Sequence, residues 1–252
     1  MGKKGGIRHL KRKPAPKTWS IERKRYTWIG KPSAGPHRTD QCITLTLGLR
    51  DLLGVAKTAK EAKTIISQGK VFVNEKIRRD ESYPAGLMDV ITLPDSNRSY
   101  RVLPSPKGLI LHPIEKEEAD FKLCRIEDKT TIKNGHVQLD LDDGTNTLIR
   151  VADPKKPVED TYHVLDTLKI GLKKRDIQGY IKLSKDTPVL VVGGKNVGKH
   201  GKIVEIEEST GQKRRDLLVT IEDKNGGRFQ TTVNFVFAVG ETAPSISLPE
   251  VK

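Results

Sequence analysis

Residues 193–199 carry the one pattern in this chain that suggests nucleotide chemistry. The run Gly-Gly-Lys-Asn-Val-Gly-Lys satisfies seven positions of G-x-x-x-x-G-K-[ST], in which backbone N–H groups cradle phosphates and a hydroxyl binds magnesium. The next residue is His200, so that hydroxyl is missing. Residues 201–206 alternate around β-branched side chains, which predicts a strand where a phosphate-binding helix would have to begin. We therefore expect no nucleotide hydrolysis.

The other residues that could support catalysis or bind a metal are dispersed. Asp140, Asp142 and Asp143 are the densest acidic group, but they precede a glycine and are typical of a turn. The six histidines include no i, i+4 pair, and the two cysteines form no Cys-x-x-Cys motif. Cys42 and Cys124 are instead expected to be buried thiols. We predict that the protein is not an enzyme and has no catalytic residue, metal, cofactor or small-molecule substrate.

Positive charge is concentrated at the N-terminus. Residues 1–40, called here the N-terminal extension, contain twelve Lys or Arg and two acids, which supplies ten of the formal net charge of +14. A segment this basic repels itself, and we expect it to order against a polyanion such as a nucleic-acid backbone. Trp19, Tyr26 and Trp28 lie among the bases and could stack on nucleobases, although packing against protein is the commoner use of such rings.

Length and hydropathy set the broad class of protein. A chain of 252 residues can form two or three small domains. It contains no run of about 20 apolar residues that could cross a membrane, and its N-terminus lacks the apolar segment of a secretory signal. We therefore expect an intracellular, cytoplasmic protein without a membrane partner.

Residues 41–100 are predicted to form a compact α+β unit. Leucines at 45, 49, 52 and 53 recur at helical spacing, and Thr58 with Glu61 forms a capping-box pattern before a second helix that ends at Gly69. A hairpin should follow, with its turn at Asn74-Glu75, and residues 90–93 can supply a further strand.

The rest of the chain is predicted to be mostly β. Residues 101–180 form a central β-domain, residues 181–240 form a small barrel of short strands, and residues 241–252 form a loose tail. The strands of the barrel are expected at 188–192, 203–206, 217–221 and 233–239. The fold class is therefore α+β and multidomain, with β-structure dominant.

Two segments resemble known RNA-binding modules. Residues 192–204 look like a KOW motif, in which a strand, a glycine-rich turn and a second strand open an SH3-like barrel, and Gly198 and Gly201 permit positive φ or close backbone approach. Residues 45–74, with the order helix, glycine, Val-x-Val-Asn, resemble the small RNA-binding domain first known from a bacterial small-subunit ribosomal protein.

The order of all segments resembles one family. The chain starts with Gly-x-x-x-His-Leu-Lys-Arg at 5–12 and continues with the α+β unit. A β-domain containing Gly-His-Val-Gln-Leu-Asp-Leu-Asp-Asp-Gly at 135–144 follows, and a KOW barrel comes last. This order is similar to that of the small ribosomal subunit protein family four-e of archaea and eukaryotes. The resemblance implies a structural, non-catalytic ribosomal protein. Its implied partners are small-subunit rRNA and neighbouring ribosomal proteins.

The charge map and this resemblance together give the expected RNA-binding residues. They are basic or imidazole side chains of the extension, of the α+β unit and of the KOW loop: Lys3, Lys4, Arg8, His9, Lys11, Arg12, Lys13, Lys17, Arg23, Lys24, Arg25, Arg38, Lys57, Lys60, Lys63, Lys70, Lys76, Arg78, Arg79, Lys195, Lys199 and Lys202. Two alternatives remain: an RNA-modifying enzyme that carries the same RNA-binding domain, and a KOW-type factor associated with transcription or RNA.

Overall fold

The chain folds into two units, each compact by itself. In the computed structural model, the described residues are 9–24, 26–153, 158, 160–207, 216–224 and 226–249. Unit 1 contains residues 1–103 and 107–115, and unit 2 contains residues 104–106 and 116–252. No helix among these described residues is long and apolar enough to cross a membrane.

The helices of unit 1 follow the sequence prediction. Helix α1 (Leu45–Leu47) continues directly into a π-helical turn (Gly48–Leu52), and α2 spans Ala59–Ser67. Thr58 caps α2 by accepting from the Glu61 N–H at 3.2 Å, and the Glu61 carboxylate accepts from the Lys57 N–H at 2.8 Å. These two hydrogen bonds stabilise the start of α2, and they hold the pKa of Glu61 below its usual value.

The strands of unit 1 form one five-stranded antiparallel sheet and two small ribbons. The ribbons pair β1 (Leu10–Lys11) with β2 (Trp28–Ile29), and β3 (Cys42–Thr44) with β6 (Pro84–Gly86). The sheet has the order β5-β4-β7-β8-β9, and its strands are β4 (Phe72–Val73), β5 (Lys76–Ile77), β7 (Val90–Leu93), β8 (Arg98–Ser105) and β9 (Gly108–Ile114). The expected boundary at residue 100 therefore falls inside β8, because hydrogen bonding continues from β7 through β9.

The N-terminal extension is part of the core of unit 1, whereas its charge alone predicts a self-repelling segment that orders against a polyanion. Ala15, Trp19 and Ile29 are buried with the leucines of α1 and with Ile66 of α2. The extension gains this packing because Ala15, Trp19 and Ile29 face the α+β unit, while the lysines of its described part stay in water.

The first sheet of unit 2 is also antiparallel. Its order is β12-β11-β10-β13-β14, with β10 (Phe121–Thr131), β11 (Val137–Leu141), β12 (Asn146–Ile149), β13 (Thr167–Gly171) and β14 (Ile177–Ile181). A short helix, α3 (Lys116–Ala119), precedes β10. The β11–β12 hairpin agrees with the sequence, in which residues 137–141 alternate and Asp143-Gly144 is a turn signal.

The second sheet of unit 2 is a half-barrel of five antiparallel strands. Its order is β18-β17-β16-β15-β19, with β15 (Pro188–Val191), β16 (His200–Ile206), β17 (Leu218–Glu222), β18 (Arg228–Thr232) and β19 (Val236–Ala238). The expected strand at 233–239 was wrong in its first half, because residues Val233–Phe235 form a 3-10 turn. That turn carries the chain from one edge strand of the sheet, β18, to the opposite edge strand, β19.

The C-terminal residues in the described part of the chain pack against unit 2, so the expectation of a loose tail does not hold for residues 241–249. Ile246 is buried, and the N–H and hydroxyl of Ser245 both donate to the Val239 carbonyl. The N–H and hydroxyl of Ser247 donate to the carboxylate of Glu118.

Candidate nucleic-acid interface

The β1–β2 ribbon presents a basic and aromatic face to solvent. Leu10 pairs with Ile29 and Lys11 pairs with Trp28 across the ribbon. Since side chains alternate along a strand, Ile29 points into the core while Lys11 and Trp28 share the outer face. Trp28 is 57% exposed, and the Lys11 ammonium lies 5.7 Å from its ring centroid. The ribbon thus places a cation beside an accessible π-system.

Two arginines expected to bind RNA organise the extension itself. Arg12 is only 4% exposed, and its Nη1 donates to the Glu22 carbonyl at 2.7 Å. The Arg23 guanidinium donates to four carbonyls of the extension, those of Arg12, Lys13, Ala15 and Pro16. Because these donors satisfy backbone acceptors, the two arginines hold the chain in a defined path.

A recess of about 640 Å³ opens beside the ribbon. Its lining combines four basic side chains with one aromatic ring and one threonine, and contains no acidic side chain: Lys11, Lys13, Arg23, Lys24, Tyr26 and Thr27. The three lysines are exposed, and the residues that the structure describes offer none of them an ion pair. The Arg12 guanidinium lies 5.2 Å from the ring centroid of Tyr26, which is 59% exposed. Positive charge therefore converges on a site that Tyr26 lines with one aromatic ring.

The middle of the extension is anchored to the α+β unit by Trp19. This side chain is 2% exposed, and its Nε1 donates to the Cys42 carbonyl at 2.6 Å. The neighbouring Thr18 donates from its hydroxyl to the Asp40 carbonyl, and its own carbonyl accepts from the Leu109 N–H at 2.9 Å. Of the three aromatic side chains in the extension, the structure assigns Trp19 to the core and leaves Tyr26 and Trp28 accessible.

The remaining basic residues predicted in the extension occupy different surroundings. His9 and Lys17 are exposed, and the exposed Arg38 lies 3.9 Å from the Asp40 carboxylate. Lys3, Lys4, Arg8 and Arg25 lie outside the described residues.

Helix α2 contributes a second basic surface in unit 1. Ala62 and Ile66 face the core, whereas Lys57, Lys60 and Lys63 are exposed. Lys63 forms an exposed ion pair with Glu81 at 3.0 Å. Such a pair adds little stability in water and can exchange for a phosphate, so Lys63 stays compatible with the predicted role.

The hairpin after α2 is held by a buried polar network. Asn74 and Glu75 both have positive φ, as a type I′ turn requires. The Asn74 side chain donates to Asp89 and accepts from the Val90 N–H, at 2.8 and 2.9 Å. The Asp89 carboxylate also accepts from the Gly86 N–H at 2.9 Å. The asparagine of the Val-x-Val-Asn pattern is thus the residue that ties the hairpin to β7.

The basic residues of this hairpin divide between exposed and packed positions. Lys70 pairs with Asp95 at 2.8 Å, and Lys76 and Arg79 are exposed. Arg78 instead lies over the Tyr83 ring, 4.3 Å from its centroid, and is partly buried. We therefore read Arg78 as a packing residue and the other three as surface cations.

The glycine-rich loop of unit 2 places its predicted basic residues on the half-barrel. Lys195 and Lys202 are exposed, and Lys199 lies over the Phe229 ring at 4.9 Å. A strand, β16, starts at His200, so the residues that resemble a phosphate-binding loop have no helix behind them. Gly198 has φ of +84°, and a Cβ on Gly201 would lie 2.2 Å from the Glu222 carbonyl oxygen. Both glycines are required by the backbone, as expected.

The acidic cluster of unit 2 is structural. Asp143 accepts from the N–H of Thr145 and pairs with the buried Lys122 at 2.9 Å. Burial would raise the pKa of Asp143, but Lys122 and the Thr145 hydrogen bonds keep it below its usual value. Burial raises the pKa of neighbouring Asp142 to about 7, although Lys122 and Arg125 oppose this. Within the described ranges, no three His, Cys, Asp or Glu side chains form a potential metal site.

Both cysteines are buried and neither is disulfide-bonded, in agreement with the expectation of two buried thiols. Burial, with the nearby Asp40 and Asp89, raises the pKa of the Cys42 thiol to about 12. Since only the thiolate is a good nucleophile, Cys42 is unreactive in the folded protein.

An exposed basic surface on an antiparallel α+β domain, together with a half-barrel opened by a glycine-rich loop, is typical of an RNA-binding protein. Family models agree: the RS4NT (NUC023) domain matches residues 4–40, the S4 domain matches 52–91, and ribosomal family S4e matches 96–177. The chain belongs to the ribosomal protein S4e family.

Relatives match along almost the whole chain. The small ribosomal subunit protein eS4 of Staphylothermus marinus is 51% identical, covering 99% of each chain, and that of Methanocaldococcus jannaschii is 44% identical, covering 98% of this chain and all of the relative. The crystal structure of the 30S ribosomal protein S4e from Thermoplasma acidophilum is similar in fold, with a TM-score of 0.66 and 27% identity. That match covers 81% of this chain and 97% of the other.

Proposed function

We propose that this protein is a structural constituent of the small ribosomal subunit that binds rRNA and has no catalytic role. The observation that carries the proposal is the match of 99% of the chain, at 51% identity, to a relative named small ribosomal subunit protein eS4. The basic surfaces of unit 1 support it, since their lysines are positioned by a folded scaffold and not by a random coil.

The proposed mechanism is electrostatic positioning. Lys11, Lys13 and Lys24 of the extension and Lys57 and Lys60 near α2 would contact phosphates and release counterions. Such contacts fix the register of a protein on a folded RNA without reading its base sequence. Arg12 and Arg23 act indirectly, because their hydrogen bonds to carbonyls hold the lysines in place.

The loop of the half-barrel would supply a further contact through Lys195, Lys199 and Lys202. These residues surround a glycine turn that is tied to β18, since Asn196 donates from its side chain to the Gln230 carbonyl at 3.2 Å. The other partners proposed are neighbouring ribosomal proteins, and the proposed location is the cytoplasmic ribosome.

The two alternative functions have less support. An RNA-modifying enzyme needs a catalytic site, whereas the densest acidic group of unit 2 is used in a turn and a buried ion pair. A KOW-type transcription factor would fit the half-barrel, but it does not explain the matches to residues 4–40 and 52–91.

Co-sedimentation tests the proposal. The full chain, mixed with small ribosomal subunits lacking it, should sediment with the particles at low salt and be released at high salt, because phosphate contacts weaken as salt rises. A variant with Lys57→Gln and Lys60→Gln should be released at lower salt. Failure of the full chain to sediment with these particles at any salt would overturn the proposal.

A further inference from the structure

We infer that the outer face of the β1–β2 ribbon binds a single unpaired RNA nucleotide, with its base stacked on Trp28 and its phosphate held by Lys11, Lys13 and Lys24. This inference rests on the proposed function and names the RNA element that this part of unit 1 recognises.

The pairing register of the β1–β2 ribbon directs the Trp28 side chain away from the core. Its strand partner is Lys11, and the adjacent pair, Leu10 and Ile29, packs into the core, so the ribbon cannot rotate Trp28 inward without exposing Ile29. A large aromatic ring that is 57% exposed is unusual when the same extension buries Trp19 to 2%. Exposure of Trp28 is therefore a property of the fold.

The surroundings of Trp28 suit a nucleotide. The Lys11 ammonium and the His9 ring both lie 5.7 Å from the Trp28 ring centroid, and the His9 ring is inclined at 59°. The neighbouring recess of about 640 Å³ carries four basic side chains and the Tyr26 ring. This volume is within the roughly 300–1,000 Å³ range of small-molecule sites. A phosphate beside Lys11 thus leaves an attached base within reach of Trp28.

The exposed ring of Trp28 is the reason for proposing an unpaired nucleotide. In a paired helix the faces of the bases are covered by their neighbours, so a duplex can use the lysines but not the ring. An acidic polypeptide likewise offers charge without a flat π-surface. An unpaired nucleotide offers both, and stacking on an aromatic side chain contributes measurably to single-strand binding.

Tryptophan fluorescence of the full chain provides a direct test, because the protein contains only two tryptophans. An oligoadenylate of about 12 nucleotides should quench the emission of exposed Trp28. A duplex of the same length should bind through phosphates with little quenching. In Trp28→Phe, the oligoadenylate should still bind, but the quenching should disappear, because Trp19 is buried.

Affinity provides the second measurement. Trp28→Ala should weaken oligoadenylate binding about tenfold and duplex binding less than about twofold, whereas Trp28→Phe should retain most of the affinity. The control is Leu148→Ala, which removes an exposed apolar side chain from unit 2 and should change neither affinity. Far-ultraviolet circular dichroism should show that each variant is folded.

The outcomes separate the inference from the proposed function. Equal effects of Trp28→Ala on the two RNAs, or no quenching by oligoadenylate, would overturn the inference while leaving rRNA binding intact. Polyglutamate that quenches Trp28 and competes as well as oligoadenylate would overturn it in favour of an acidic protein partner. Absence of binding to both RNAs would contradict the proposed function as well.

Discussion

Nε2 of His37 lies 2.8 Å from Oδ2 of Asp89, and both side chains are almost completely buried. The contact joins the end of the N-terminal extension to the residue that precedes β7. The His37 ring covers Gly86 so closely that a Cβ there would lie 2.2 Å from the ring. Since Asp89 also accepts from Gly86 and Asn74, one carboxylate links the extension, β6 and the hairpin turn.

The replacement Asp89→Ala should destabilise unit 1 by about 3 kcal/mol, because it leaves the donors of Gly86 and Asn74 buried and unsatisfied. Urea denaturation measures this change. The control is Asp95→Ala, which removes an exposed carboxylate paired with Lys70 and should change stability by less than about 0.5 kcal/mol. Equal losses in the two variants would show that the buried network is unimportant.

Replacement of each tryptophan of the extension by Ala should affect stability very differently. Trp19→Ala removes a buried ring and the hydrogen bond to the Cys42 carbonyl, so we expect a loss of about 3–5 kcal/mol. Trp28→Ala removes an exposed ring and should change stability little. Thermal unfolding compares them, and a Trp19→Ala protein as stable as the wild type would contradict the placement of the extension in the core.

Two glycines of the half-barrel allow a similar comparison between a closely packed position and an open one. In Gly201→Ala the new Cβ would meet the Glu222 carbonyl oxygen, so β16 and β17 must move apart, at a cost of about 1–3 kcal/mol. Gly227 has no atom within 4 Å of an added Cβ, and Gly227→Ala should be neutral. Chemical denaturation distinguishes the variants, and a neutral Gly201→Ala would rule out this close approach.

The buried His200 should make stability depend on pH. Burial lowers the pKa of this imidazole from 6.5, helped by nearby Lys224 and opposed by Asp223. Below pH 6.5 the unfolded chain takes up a proton that the folded protein resists, so His200 contributes a loss of stability as the pH decreases from 6.5. The raised pKa of Asp142 acts in the opposite direction, because the folded protein binds that proton more tightly than the unfolded chain below about pH 7.

In urea denaturation between pH 7.5 and about pH 5, the stability of His200→Leu relative to the wild type should therefore increase as the pH falls, because the variant lacks the destabilising contribution of His200. His9→Gln, which changes an exposed imidazole of unit 1, should keep the pH dependence of the wild type. If the stability of His200→Leu depended on pH as the stability of the wild type does, His200 would not contribute to that dependence.

Local patterns in the sequence predicted the local structure well. The capping box of α2, the turn at Asn74-Glu75, the β11–β12 hairpin and the strand that begins at His200 each depend on residues close in the chain. The same locality allowed the sequence to predict a strand, and not a helix, after the glycine-rich loop. Such elements are predictable because their stabilising contacts are nearly all within a few residues.

Long-range contacts explain what the sequence did not predict. The strands β1 and β2 are two residues each, too short for a periodic pattern, and Trp19 is held by the Cys42 carbonyl 23 positions away. The basic side chains of Arg12 and Arg23 were expected to bind RNA, yet their guanidinium groups satisfy carbonyls of the extension. The sequence gives the charge of each residue. The direction in which its side chain points depends on the course of the backbone in the folded protein.

The salt dependence of rRNA binding is the measurement that tests the account most directly. Replacing Lys11, Lys13 and Lys24 by Gln should make the slope of log affinity against log salt shallower by about 2–3, because each phosphate contact contributes about 0.7–0.9. Replacing the exposed Lys133, Lys174 and Lys185 of unit 2 by Gln changes the net charge equally and should leave the slope nearly unchanged. Equal slopes for the wild type and both variants would contradict the central claim that the extension holds the RNA backbone.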